Sequence, residues 1–80
     1  MILHIGDQVY EPDPYDMLGG YQGYFSKVIV GVIDAASGIV KTYESGRQGN
    51  KERQENIHDL YVRDQDGYTS LRDIEVAFSA

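Results

Sequence analysis

The string Asp64-Gln65-Asp66-Gly67-Tyr68-Thr69-Ser70-Leu71-Arg72-Asp73 places oxygen donors at the third, fifth, ninth and twelfth positions of a calcium loop, with glycine at the sixth. Two positions depart from that pattern. Val62 stands where the first aspartate is needed, and Asp73 where the bidentate ligand is normally glutamate. The flanks read as strands, whereas a calcium loop sits between helices. The competing reading is a hairpin turn, since Asp-Gly supplies the positive φ that such a turn needs; we take the hairpin and assign no metal. A second string, Gly19-Gly20-Tyr21-Gln22-Gly23, has the spacing of a phosphate cradle. No lysine follows it, no strand immediately precedes it, and Asp7, Glu11, Asp13 and Asp16 upstream would repel a phosphate.

His4 lies near Asp7, and His58 is adjacent to Asp59, but neither has a nucleophile or further metal ligands at sensible spacing. None of Ser26, Ser37, Ser45, Ser70 and Ser79 is marked as a nucleophile. Acid/base pairs could be drawn from the 13 Asp and Glu residues. A chain of 80 residues has little interior in which burial could tune a carboxyl pKa. The expectation is therefore a protein that is not an enzyme, with no catalytic residue and no cofactor.

Charge and aromatics carry the remaining chemistry. Seven Lys and Arg against 13 Asp and Glu give a net charge of −6. The first 25 residues hold Asp7, Glu11, Asp13 and Asp16 without a single cation, and the last 22 are acidic through Asp59, Asp64, Asp66, Asp73 and Glu75. Such a surface repels nucleic acid and attracts a basic protein surface. A net charge of this size also keeps a small protein soluble, whatever its function. Seven tyrosines stand against no tryptophan, and Tyr10, Tyr15, Tyr21 and Tyr24 fall within the first 25 residues. Tyrosine joins an apolar body to a polar tip and is enriched in interface hot spots.

The elements that must position these residues are strands. Eighty residues make one domain, 1–80, with no cysteine to staple it, so packing alone must hold it. Residues 5–10 read as a first strand opened by Gly6-Asp7. Residues 11–25 read as a long Gly- and Tyr-rich loop in which 16–18 make at most one helical turn. Ser26–Asp34 is a strand apolar on both faces, with Val28, Val30 and Val32 opposed to Ile29 and Ile33, and Gly31 placed to let it bend. A turn at 35–38 leads into a strand over Ile39–Ser45. Residues 46–56 are polar and read as an exposed loop or a short helix capped by Asn50. Another hairpin joins 60–63 to 68–70, followed by a 3₁₀ turn at 71–74 and a short strand at 75–78.

This order defines a mostly β fold: a small antiparallel sheet or a five-stranded barrel with at most one short helix. It resembles the Src-homology-3-like small barrels, in which Gly-Asp opens the first strand and a short turn precedes the last. The resemblance implies that Tyr10, Tyr15, Tyr21 and Tyr24 line a groove, although the tryptophan that such grooves normally use is absent. In general character (short, acidic, with an aromatic loop) the chain is similar to phage-encoded anti-CRISPR proteins. That similarity implies an inhibitor that covers the nucleic-acid-binding surface of a CRISPR effector subunit by charge mimicry. The partner-binding residues would be Asp7, Glu11, Asp13, Tyr15, Asp16, Tyr21, Tyr24, Asp64, Asp66 and Asp73. The alternative is a small accessory module that docks a peptide or forms a homo-oligomer. The N-terminus lacks a basic, apolar leader and no segment is long enough to span a bilayer, so a cytoplasmic location is expected, without membrane or direct nucleic-acid contact.

Overall fold

β-Branched residues recur over Tyr24–Asp34 and Ile39–Gly46, where they favour strands. The computed structural model describes residues 1–13, 23–46 and 49–79. In chain order the strands are β1 (Ile2–Leu3), β2 (Gln8–Pro12), β3 (Tyr24–Asp34), β4 (Ile39–Gly46), β5 (Gly49–Asn56), β6 (Tyr61–Asp64), β7 (Gly67–Ser70) and β8 (Ala77–Phe78). A 3₁₀ turn, Ile57–Asp59, separates β5 from β6. Six strands form one antiparallel sheet in the order β5-β4-β3-β2-β6-β7, while β1 and β8 pair in parallel as a separate ribbon. The mostly β architecture is thus as the sequence implies, but the sheet stays open. Among the described residues its outer strands, β5 and β7, do not meet to close a barrel.

One face of the sheet buries Val9, Ile29 and Val40, and Leu3, Ile57, Leu60 and Leu71 complete this core. Val32, Val62, Ile74, Val76 and Phe78 pack against it. Simple alternation fails in β3. Val28 pairs with Tyr43 and Ile29 with Thr42, but the register then slips before Gly31 and again before Asp34. These bulges put Ile29 and Val32 on the same inner face, opposite Thr42 and Val40, and leave Val30 and Ile33 exposed. One extra residue in a strand reverses the face of everything after it. The bend expected at Gly31 is where the first bulge lies.

The largest departure is β5. The polar stretch that reads as a loop or a helix capped by Asn50 is a strand, paired residue by residue with β4 from Ile39↔Asn56 to Gly46↔Gly49. It lies at the sheet edge, where charged side chains are favoured because they discourage pairing with other chains. Lys41 and Glu52 bridge across the pair at 2.9 Å. The cap is Asn56 instead: its Oδ1 accepts the His58 N–H at 2.9 Å and starts the 3₁₀ turn that buries Ile57. Residues 71–74 form a turn in which the Ile74 N–H reaches the Leu71 carbonyl at 3.5 Å. The proposed helical turn at 16–18 falls outside the described residues. Among the described residues no helix is long and apolar enough to cross a membrane.

Gly38 ends the β3–β4 turn at φ +75°, and its carbonyl accepts the Ile57 N–H at 2.8 Å. A Cβ there would lie 3.0 Å from Ile57 Cγ2. Gly38→Ala therefore forces a left-handed conformation and displaces a core side chain. The expected loss is about 1–2 kcal/mol, or somewhat more if Ile57 cannot move, read as a lower urea midpoint with an unchanged slope.

Candidate functional site

Strand register gathers four of the tyrosines that the sequence scatters. Pro12 pairs with Tyr24, Tyr10 with both Ser26 and Tyr61, and Arg63 with Tyr68. Directly paired residues share a face and successive residues alternate. Tyr10, Tyr24, Tyr61, Arg63 and Tyr68 accordingly share the outer face of β3-β2-β6-β7, opposite the core. Tyr24 stacks on Tyr68 with centroids 3.7 Å apart and planes at 12°. Tyr10 meets Tyr68 edge-on at 5.1 Å, and Tyr61 meets Tyr24 in the same way at 5.6 Å. The Arg63 guanidinium lies over the Tyr68 ring, 5.7 Å from its centroid. The rings cover much of one another, so the cluster is a rigid apolar plateau with hydroxyl tips rather than a set of open rings for stacking. Such a plateau loses little side-chain entropy when a partner covers it.

The acidic residues lie at the two ends of these strands. Antiparallel pairing of Tyr10 with Tyr61 brings Asp7, three residues before one, to the end where Asp64 follows the other. Asp66 is in the adjoining β6–β7 turn. Asp13 and Asp73 lie at the opposite end, beyond β2 and beyond the Leu71–Leu60 hydrogen bond. Six strand residues separate Asp7 from Asp13, roughly 20 Å. The carboxylates thus bracket the tyrosines and do not merge into one patch. Several also have structural partners. Asp7 accepts the His4 N–H at 2.9 Å. Asp64 accepts the Asp66 N–H at 2.8 Å and the Thr69 hydroxyl at 3.0 Å. Those bonds, between two strands, describe the hairpin reading of the Asp-Gly string. Asp66 and Asp73 are exposed.

Glu11 is placed differently from its acidic neighbours. It lies on the inner face, where the Lys27 ammonium bridges it to Glu55 Oε1, the latter at 2.7 Å. Glu55 Oε2 accepts the Thr42 hydroxyl at 2.6 Å. This network ties β2, β3, β4 and β5 together around a lysine only 2% exposed. Burial pushes the Lys27 pKa down, but the hydrogen bonds and negative charges of Glu11 and Glu55 outweigh it and hold it above the ordinary lysine value. Glu11 is thereby committed to the fold.

Of the residues expected at a partner surface, Tyr24 lies in the cluster and Asp7, Asp13, Asp64, Asp66 and Asp73 at its ends. Tyr15, Asp16 and Tyr21 fall outside the described residues, as do most of the glycine string and of the loop that holds it. Tyr61, Arg63 and Tyr68 were missed. Their signal was the alternation of Tyr61 with Arg63 on one arm of the hairpin and of Tyr68 with Ser70 on the other. His58 Nδ1 lies 2.9 Å from the Leu71 carbonyl, a fold contact between the 3₁₀ turn and the residue that follows β7. Among the described residues no cluster of three or more His, Asp or Glu is disposed to hold a metal. An open groove beside β1 adjoins the cluster through Tyr10 and Arg63, with Asp7 on its wall. Comparison with protein-family models, with curated proteins and with solved structures returned no match.

Proposed function

We propose that this chain is a non-enzymatic protein-binding module whose contact surface is the outer face of β3-β2-β6-β7. One observation carries the reading: four tyrosines locked into a plateau on the solvent side of an open sheet, with carboxylates at both strand ends. A central aromatic patch with a polar rim is the usual anatomy of an interface. The rim and the net charge of −6 select a basic partner surface.

The net charge also favours a specific form of this reading. It is an inhibitor of phage or mobile-element origin that occupies the nucleic-acid-binding surface of a CRISPR effector in the cytoplasm. The tyrosines then anchor the contact, and the carboxylates pair with cations that otherwise hold phosphates. The test is retention of a purified CRISPR effector complex by the tagged chain, with duplex DNA as competitor and salt raised in steps. Asp66→Lys with Asp73→Lys should weaken retention at least about tenfold, because each reversal at a charged interface costs roughly 1 kcal/mol or more, while the fold stays intact. Retention that DNA displaces supports the inhibitor form. Retention indifferent to DNA, salt and charge reversal would leave an accessory module that docks through the tyrosines.

A further inference from the structure

The two edges of the six-stranded sheet differ in chemistry. β5 presents Lys51, Glu52, Arg53 and Glu55, a composition that discourages strand addition. β7 is Gly67-Tyr68-Thr69-Ser70 and carries no charge. Register shows where its backbone groups point. The Leu71 N–H donates to the Leu60 carbonyl at 3.0 Å, so these two residues form a hydrogen-bonded pair. Such pairs alternate along an antiparallel ladder. Val62–Thr69 is therefore hydrogen-bonded, whereas Tyr61–Ser70 and Arg63–Tyr68 are not. The N–H and C=O groups of Tyr68 and Ser70 consequently point away from β6 along the open edge. Among the described residues no strand takes them. The Tyr68 ring belongs to the plateau, Asp64 and Asp66 stand at one end of β7, and Asp73 lies beyond the other.

From this juxtaposition we infer that β7 is the docking edge for an extended, lysine- or arginine-bearing segment of the partner, which adds to the sheet as a seventh strand. The inference rests on the protein-binding reading above and gives it a geometry. Main-chain bonds to Tyr68 and Ser70 supply attachment, and alternate side chains of the segment supply selectivity. A side chain beside Tyr68 extends the aromatic plateau. Cations about five to six residues apart reach Asp66 at the turn and Asp73 past the far end.

The test is a titration of the isotope-labelled chain, followed by amide NMR, with a blocked peptide of alternating valine and threonine that carries lysine at both ends. Two counterparts accompany it: one N-methylated on alternate amides, and one with glutamate in place of lysine. Shifts should centre on Tyr68, Thr69 and Ser70. N-methylation in the edge-facing phase should weaken binding at least about tenfold, and the glutamate peptide should bind no more tightly than the N-methylated one. Ser70→Pro removes an outward N–H and leaves the ladder bonds in place, so it should abolish the shifts while the rest of the spectrum keeps its dispersion. If Tyr10, Tyr24 and Tyr61 respond but N-methylation and Ser70→Pro change nothing, edge pairing is overturned and the tyrosine surface stands. If β7 does not respond at millimolar peptide, the edge inference also fails, and the protein-binding reading is then judged by the effector experiment alone.

Discussion

Replacing Glu55 by leucine should destabilise the fold by about 3 kcal/mol, the low end for a broken buried ion pair, because the buried Lys27 ammonium then keeps only Glu11, itself partly exposed. Lys27 is 2% exposed, and Glu55 also orients the Thr42 hydroxyl. For a domain of this size the loss corresponds to a fall in Tm of at least about 12 °C, a large share of the total stability. Glu11→Gln should cost less, since Glu11 is one-third exposed and Glu55 still faces the lysine. The distinguishing measurement is the double variant. Lys27→Met in the Glu55→Leu background removes the half-compensated charge, leaves the partly exposed Glu11 to water and should recover most of the loss, because a buried ion pair is often no more stable than an apolar replacement. A double variant as weak as Glu55→Leu alone would show that the damage comes from packing. The network also has a pH signature. Since the folded-state pKa of Lys27 is raised, its contribution is complete below the ordinary value near 10.5 and is lost as pH rises through the folded value. Denaturation midpoints of the native chain should therefore fall more steeply above that pH than those of the double variant.

This network shows why parts of the fold were legible in the sequence and others were not. The hairpin over β3 and β4 follows from alternation and a Ser-Gly turn, and the hairpin over β6 and β7 from Asp-Gly; both are local signals. β5 has no apolar residue, so hydrophobic periodicity cannot reveal it. It is a strand because Glu55, Glu52 and their neighbours find partners across β4, information that resides in the pairing and not in the segment. The bulges in β3 are hidden for a similar reason. Val28, Val30 and Val32 look like one face until register with β4 inserts an extra residue. β1 is too short to carry a pattern, and it exists because β8 returns beside it.

The site divides along the same line. Residue types pointed to tyrosines and carboxylates as the contact chemistry, and Tyr24 lies in the cluster. Grouping by sequence proximity joins Tyr10 and Tyr24 to Tyr15 and Tyr21, whereas register joins Tyr10 and Tyr24 to Tyr61 and Tyr68, brought in from β6 and β7. Proximity also treated Glu11 as equivalent to Asp7 and Asp13. Yet alternation along β2 turns Glu11 to the inner face, where Lys27 requires it, so one residue of strand phase separates a surface charge from a buried one.

Tyr68→Ala should reduce partner binding at least about 30-fold, about 2 kcal/mol, the loss expected of a central aromatic anchor. The ring meets Tyr24 face-on, Tyr10 edge-on and Arg63 from above, so its removal unlocks the plateau as well as deleting a contact. The same contacts set a modest cost in stability. Two aromatic pairs contribute about 0.5–1.5 kcal/mol each, and the inner core is untouched because Tyr68 lies on the other face. The variant should therefore remain folded at room temperature and still fail to bind. Tyr43→Ala is the matching control. Tyr43 shares the outer face, opposite Val28, but sits on β4, outside the cluster. Its removal should change binding by less than about threefold, as expected for a residue outside the hot spot. Calorimetric titration of both variants with the effector complex, or with the lysine-ended peptide, reads the difference directly. Equal losses for the two would place the contact away from β6 and β7, and unchanged binding by Tyr68→Ala would remove the tyrosine plateau from the interface.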